Sequence, residues 1–138
     1  MNWPVMNIAE VHEFGIQTIL PYLEKEGLTI QEVNTDLKVN PQIVGQRWGS
    51  LAFVFVRTAC YPSKGALTET QFISCLEWAN KFHASPFFAS VGIACTNYPD
   101  KSPINDDSEM RIPYRNGGFA ISYQGLLIMT TTDHVRMI

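Results

Sequence analysis

Gln42-Ile43-Val44-Gly45-Gln46-Arg47-Trp48-Gly49-Ser50-Leu51-Ala52-Phe53-Val54-Phe55-Val56-Arg57-Thr58 is the stretch on which the fold turns. Two strand-like runs, 42–47 and 51–58, flank Trp48-Gly49-Ser50, where the glycine can take the positive φ that a short hairpin loop needs. The second run is apolar on both faces through Val56, the pattern of a strand covered on both sides, so it belongs at the centre of its sheet. Upstream, Leu28 to Val33 alternates apolar and polar residues like an edge strand and leads into a turn through Asn34 and Asp36. Before it, Asn7 and Glu10 form a capping box for a helix whose apolar positions are Ile8, Val11, Gly15, Ile19 and Leu23. Gly27 ends that helix, and Pro21 is predicted to kink or split it near Leu20. Downstream, Thr68 and Gln71 cap a second helix with Phe72, Leu76, Ala79 and His83 as its buried stripe, and Phe87 to Cys95 reads as another buried strand.

The whole chain supports one domain, 1–138. Its 10 Lys and Arg against 13 Asp and Glu, with 46% hydrophobic residues, are ordinary for a globular domain. At this length about two-thirds of the unfolded surface can be buried without disulfides or metal. The longest wholly apolar stretch, Leu51 to Val56, is far too short to span a bilayer, and Met1-Asn2-Trp3-Pro4 opens no basic and apolar leader. The expectation is a cytoplasmic protein without membrane association. Cys60, Cys75 and Cys95 make no CxxC pair and read as free core thiols. A formal charge of −3 with scattered cations argues against strong nonspecific binding to nucleic acid.

Other chemistry is sparse. His12, His83 and His134 lack metal-ligand spacing and read as packing residues, and Asp106-Asp107-Ser108-Glu109 lacks the glycine of a calcium loop. There is no Gly-x-Ser-x-Gly elbow and no phosphate-binding glycine loop. Residues 97–118 form a long loop, with a short strand predicted at Arg111 to Tyr114. The end, 119–131, reads as a C-terminal β-hairpin around Gln124-Gly125. That ribbon carries Phe119, Ile121, Tyr123, Leu126, Leu127, Ile128 and Met129; it should extend the sheet or pack across it, and its second apolar face predicts a homodimer.

The elements in order are α-β-β-β-α-β, and this order resembles the core of the restriction-endonuclease-like (PD-(D/E)xK) nucleases. Asn40-Pro41-Gln42-Ile43-Val44 and Phe53-Val54-Phe55-Val56-Arg57-Thr58 look like that family's catalytic hairpin, with Gln42 thirteen residues before Phe55. Working members carry Pro-Asp near the start of one strand and Glu-x-Lys near the end of the other. Gly15-Ile16, Gly27, Ile30 and Asn34 resemble the first helix and strand, where small endonucleases add a Gly-Glu. The resemblance covers residues 8–96. It implies an α/β (α+β) fold with a mixed central sheet flanked by helices, and the C-terminal hairpin lies outside it.

This chain departs from the family at each position that matches the site: Ile16, Gln42, Phe55 and Arg57. Mg²⁺ needs hard oxygen ligands, and here a neutral amide, an aromatic ring and an alkyl chain stand where carboxylates would. Arg57 keeps a cation where the family has Lys, but a guanidinium cannot act as a base. No metal, cofactor or catalysis is therefore expected, Phe55 should pack into the core with Ile16 among its neighbours, and Gln42 and Arg57 remain candidates for binding. The resemblance implies a degenerate nuclease-like module that binds an unidentified protein or nucleic-acid partner, with a DNA-processing assembly the first place to look. Two alternatives stay open: an active Mg²⁺-dependent endonuclease whose carboxylates have moved to Glu10, Glu13 or Asp36, and a homodimeric interaction protein with no link to nucleic acid.

Overall fold

The computed structural model describes residues 6–36, 38–60, 64–95 and 119–130. The long loop expected at 97–118, with its short strand, lies outside them. Two helices and a mixed six-stranded sheet make an α+β fold, in the order α1 (Ile8–Lys25), β1 (Leu28–Val33), β2 (Ile43–Arg47), β3 (Ser50–Cys60), α2 (Glu69–Lys81), β4 (Ser85–Cys95), β5 (Phe119–Ser122) and β6 (Leu127–Ile128). Both helices start at the predicted capping boxes, Asn7 with Glu10 and Thr68 with Gln71. No helix among the described residues is long and apolar enough to cross a membrane.

The decisive hairpin is tighter than its sequence suggested. Arg47 pairs with Ser50, so the loop is Trp48 and Gly49 alone, at φ 55° and 81°. Two successive positive φ values are what a two-residue turn needs to match strand twist, and glycine takes its share without strain. β1 pairs antiparallel with β2, β2 antiparallel with β3, and β3 parallel with β4. That parallel step needs a crossover, which α2 supplies. β3 is thus central and β1 is an edge, as their apolar patterns required.

Because β3 is apolar on both faces, it carries two cores. Ala52, Val54 and Val56 face α1 and pack with Val11, Ile16, Ile19 and Leu23. Phe53 and Phe55 face α2 and pack with Cys75 and Ala79. Phe55 is fully buried, but Ile16 is not its neighbour: residues one apart on a strand point to opposite sides, so the two lie on opposite faces of the sheet. α1 approaches β3 so closely at Gly15 that a Cβ there would sit 2.5 Å from Thr58 Cγ2.

Three local expectations are corrected. α1 runs through Pro21 unbroken, with the proline on the exposed side where the Gln17 carbonyl it leaves unpaired can face water. α2 ends at Lys81, so His83 is an exposed residue at φ 55° and not a helix-stripe position; Cys75 and Ala79 are the residues it buries. The C-terminal ribbon is not a hairpin. β5 and β6 both run antiparallel to β4, pairing Phe119 with Cys95, Ser122 with Gly92, Leu127 with Phe88 and Ile128 with Phe87. They are two pieces of one interrupted edge strand.

Glu26, the C-cap of α1, holds that interruption in place. Its carboxylate accepts the Tyr123 hydroxyl at 2.5 Å and the Leu126 backbone N–H at 2.9 Å. Burial, helped by the adjacent Glu26 carboxylate, drives the Tyr123 phenol far above its ordinary range, so it stays a donor. Arg47 Nε donates to the Glu26 carbonyl at 3.1 Å while its guanidinium stacks 4.0 Å from the Trp48 ring. Arg47 thereby places a cation at the negative end of α1. Beyond β6, Met129 donates its N–H to the Pro86 carbonyl and tucks its side chain under the α2 core.

Candidate functional site

The positions singled out by the sequence separate in space. Gln42 is fully buried at the start of β2, and each hydrogen-bonding position of its amide is taken. Nε2 donates to the Val39 carbonyl at 2.6 Å and to Asn40 Oδ1 at 2.9 Å. Oε1 accepts from the Val56 N–H at 2.7 Å and from Arg57 Nη1 at 3.3 Å. An amide with two donors and two acceptor sites has nothing left over. Gln42 is a tie between the β1–β2 loop and β3. It borders a minor cleft of about 200 Å³ rather than the main cavity.

Arg57 continues from that tie. Its Nη1 also donates to the Val56 carbonyl at 2.9 Å, and Nη2 donates to Asn40 Oδ1 at 3.2 Å. Nε and one Nη2 proton have no partner among the described residues, and no carboxylate pairs with the guanidinium there. Burial lowers its pKa from the ordinary value, but a guanidinium remains charged at any physiological pH. Among the described residues, a half-buried cation is therefore held by neutral acceptors.

That cation opens into a cavity of about 640 Å³ at the end of the sheet, between the N-terminal parts of the two helices. From α1 come Ile8 and His12, from the β1–β2 loop Lys38 and Asn40, and from β3 Phe55, Arg57 and Thr58. α2 contributes Thr70, Gln71, Ser74, Cys75 and Trp78 along one side. Among the described residues no carboxylate lines the cavity, which contains the charges of Arg57 and Lys38 within a chain of net negative charge.

His12 was expected to be a satisfied packing residue, and it is not. It is only 2% exposed, yet its Nε2 has no hydrogen-bond partner among the described residues. Buried polar atoms are nearly always paired in native proteins, so the exception asks for an explanation. Burial, reinforced by repulsion from Arg57 and opposed by Asp36, lowers the His12 pKa and keeps the ring neutral at pH 7. Burial likewise raises the Cys75 thiol, partly offset by Arg57, so Cys75 is a neutral wall residue rather than a ready nucleophile.

The residues present do not fit Mg²⁺. The Gln42 oxygen is fully used, Phe55 offers a ring, and Ile16 lies in the core on the far face of the sheet. His12, one helical turn before Ile16, reaches the cavity in its place. Glu10 turns back to the Asn7 N–H at the cap of α1, and Glu13 and Asp36 are exposed. Among the described residues no group of three or more His, Cys, Asp or Glu side chains could hold a metal ion.

Sequence reasoning singled out Arg57 and Phe55, which line the cavity, and missed His12, Lys38 and the α2 side of the wall. The missing signal was weak: His12 and Ile16 are one turn apart on α1, but Ser74 and Trp78 reach the site only through the β3–α2–β4 crossover. A family model described as a domain of unknown function (DUF8840) matches residues 9–129. No curated protein and no solved structure matches the chain.

Proposed function

We propose that this chain, which belongs to the DUF8840 family, is a catalytically silent relative of the restriction-endonuclease-like nucleases and acts by binding. The observation that supports the reading is the Gln42–Asn40–Arg57 network: the residues that match the family's site by sequence are tied to one another by hydrogen bonds to neutral acceptors instead of holding carboxylates. The element order α-β-β-β-α-β, with a helix on each face of a mixed sheet, supports the same relation. Hydrolysis of a phosphodiester in the manner of these nucleases would need a carboxylate-held cation, and no carboxylate among the described residues lines the cavity. Nucleic acid or a component of a DNA-processing assembly is the partner class this relation suggests, in the cytoplasm.

Incubation of the purified protein with Mg²⁺ or Mn²⁺ and duplex, single-stranded or junction DNA is expected to give no cleavage above background. Metal-dependent cleavage that survives Arg57→Ala but is lost in Glu13→Gln would overturn the reading in favour of displaced carboxylates.

A second reading, association of two copies through the C-terminal edge strand, is favoured by Leu127 and Ile128, which are 59% and 62% exposed on β6. Light scattering that reports a dimer, converted to monomer by Leu127→Glu with folding intact, would support it. A monomer in the unaltered protein would exclude it.

A further inference from the structure

We infer that the 640 Å³ cavity is a binding site for a small molecule that carries one oxyanion, carboxylate or phosphate, on a compact apolar or aromatic body. The inference rests on the reading of this protein as one that binds rather than cuts, and it assigns the ligand class. Four observations converge on it. Arg57 is charged, half-buried and without a carboxylate partner among the described residues, and it retains N–H donors beyond those given to Gln42, Val56 and Asn40. A planar guanidinium with spare donors matches the geometry of an oxyanion. Lys38 adds a second cation on the wall, and no acidic side chain among the described residues lines it.

His12 is the second, independent pointer. It is one of the residues lining the same cavity, and its buried Nε2 lacks a hydrogen-bond partner among the described residues; a polar ligand group seated beside this wall could offer that nitrogen a partner after a small shift of the ring. The wall is otherwise amphipathic: the exposed Trp78 ring offers an apolar surface above the buried Phe55, and Ser74 lies on the α2 side. The volume falls within the range usual for small-molecule sites, and a few convergent polar groups in an otherwise apolar hollow are their usual form. A nucleic-acid backbone is a poorer match, because binding a polyanion by phosphate contacts calls for a row of cations rather than two at one hollow.

Three probes of matched size test this by calorimetric or NMR titration of the full chain: benzoate, phenyl phosphate and the uncharged benzyl alcohol. At least one anion should bind and benzyl alcohol should not; the tighter anion identifies the source of the oxyanion. Arg57→Met should weaken that binding about tenfold or more, the effect of losing a charge-assisted contact. Because Arg57 also ties the β1–β2 loop, Ser74→Phe provides the control: Ser74 is exposed on α2, so the fold tolerates the change while the ring fills the cavity. Ser74→Phe should abolish binding with its melting temperature unchanged. Equal binding of benzyl alcohol, unchanged affinity in Ser74→Phe, or a protein that takes none of the probes overturns the inference. An oligonucleotide that binds while all three probes fail overturns it too, yet leaves the silent-nuclease reading standing. DNA cleavage sinks that reading instead.

Discussion

The two ends of α1 are built on opposite principles. At its C-terminal end, Glu26 accepts from Tyr123 and Leu126 with its carboxylate and from Arg47 with its carbonyl, so a charge near the surface is spent on holding three distant parts of the chain together. At its N-terminal end, among the described residues, His12 is buried with an unpaired ring nitrogen and Arg57 keeps donors to spare. Folding alone selects for the first arrangement, since an unpaired buried polar atom costs about 1 to 3 kcal/mol. The second runs against that selection, which is why the proposed binding site is set at the open end and not at the saturated one.

Gln42 shows what saturation is worth beside the open end, and it gives the largest expected effect. Gln42→Ala leaves the buried Val56 N–H without its acceptor and releases Arg57 and the Val39 carbonyl together. It should destabilise the protein by about 2 to 4 kcal/mol in denaturant titration. A loss under about 1 kcal/mol would mean that the network is not the structural tie described here. The equivalent test at the closed end is Tyr123→Phe, which removes one hydrogen bond to a carboxylate and little volume. It should cost about 1 to 2 kcal/mol, because the pair is only partly buried. No change there would erase the contrast between the two ends.

How much of this contrast could be read from the sequence depends on how local its causes are. The capping boxes, the β2–β3 turn and the central place of β3 rest on residues within a few positions of one another, and each was legible. The interrupted edge strand was not. Gln124-Gly125, with Gly125 at φ 107°, resembles a hairpin turn, and the Glu26 carboxylate that makes it an interruption lies about a hundred residues earlier in the chain. Phe55 and Ile16 were paired wrongly for a related reason: a strand apolar on both sides does not announce which face meets which helix. The candidate site was half legible. Arg57 and Gln42 stand out by motif, but that Gln42 is saturated and His12 unpaired depends on packing that no periodicity encodes.

At the open end the sign of the effect should reverse. His12→Leu keeps similar bulk and removes the unpaired nitrogen, so the ligand-free protein should gain about 1 kcal/mol while losing its ability to bind. Stabilisation together with lost binding is the signature of a residue kept for function. A destabilised variant would show that His12 is an ordinary packing residue.

The smallest effect is a pH dependence with the same origin. In the unfolded chain His12 takes up a proton near its ordinary value of 6.5, whereas in the folded protein burial and the neighbouring Arg57 hold its pKa lower, with Asp36 opposing them. Between those two values the unfolded state binds more protons than the folded state. The contribution of His12 to stability is therefore fully present above 6.5, and it declines as pH falls from 6.5 through the folded-state value. Other groups also shape the acid limb of the wild-type protein, so that limb alone is not diagnostic. The difference between wild type and His12→Leu is. The drop in melting temperature from about pH 7.5 to about pH 5.5 should be smaller in the variant, because leucine has no proton to take up. Identical drops would place His12 in a solvated, freely titrating position. That would remove the buried, unpaired nitrogen on which the contrast between the two ends of α1 depends.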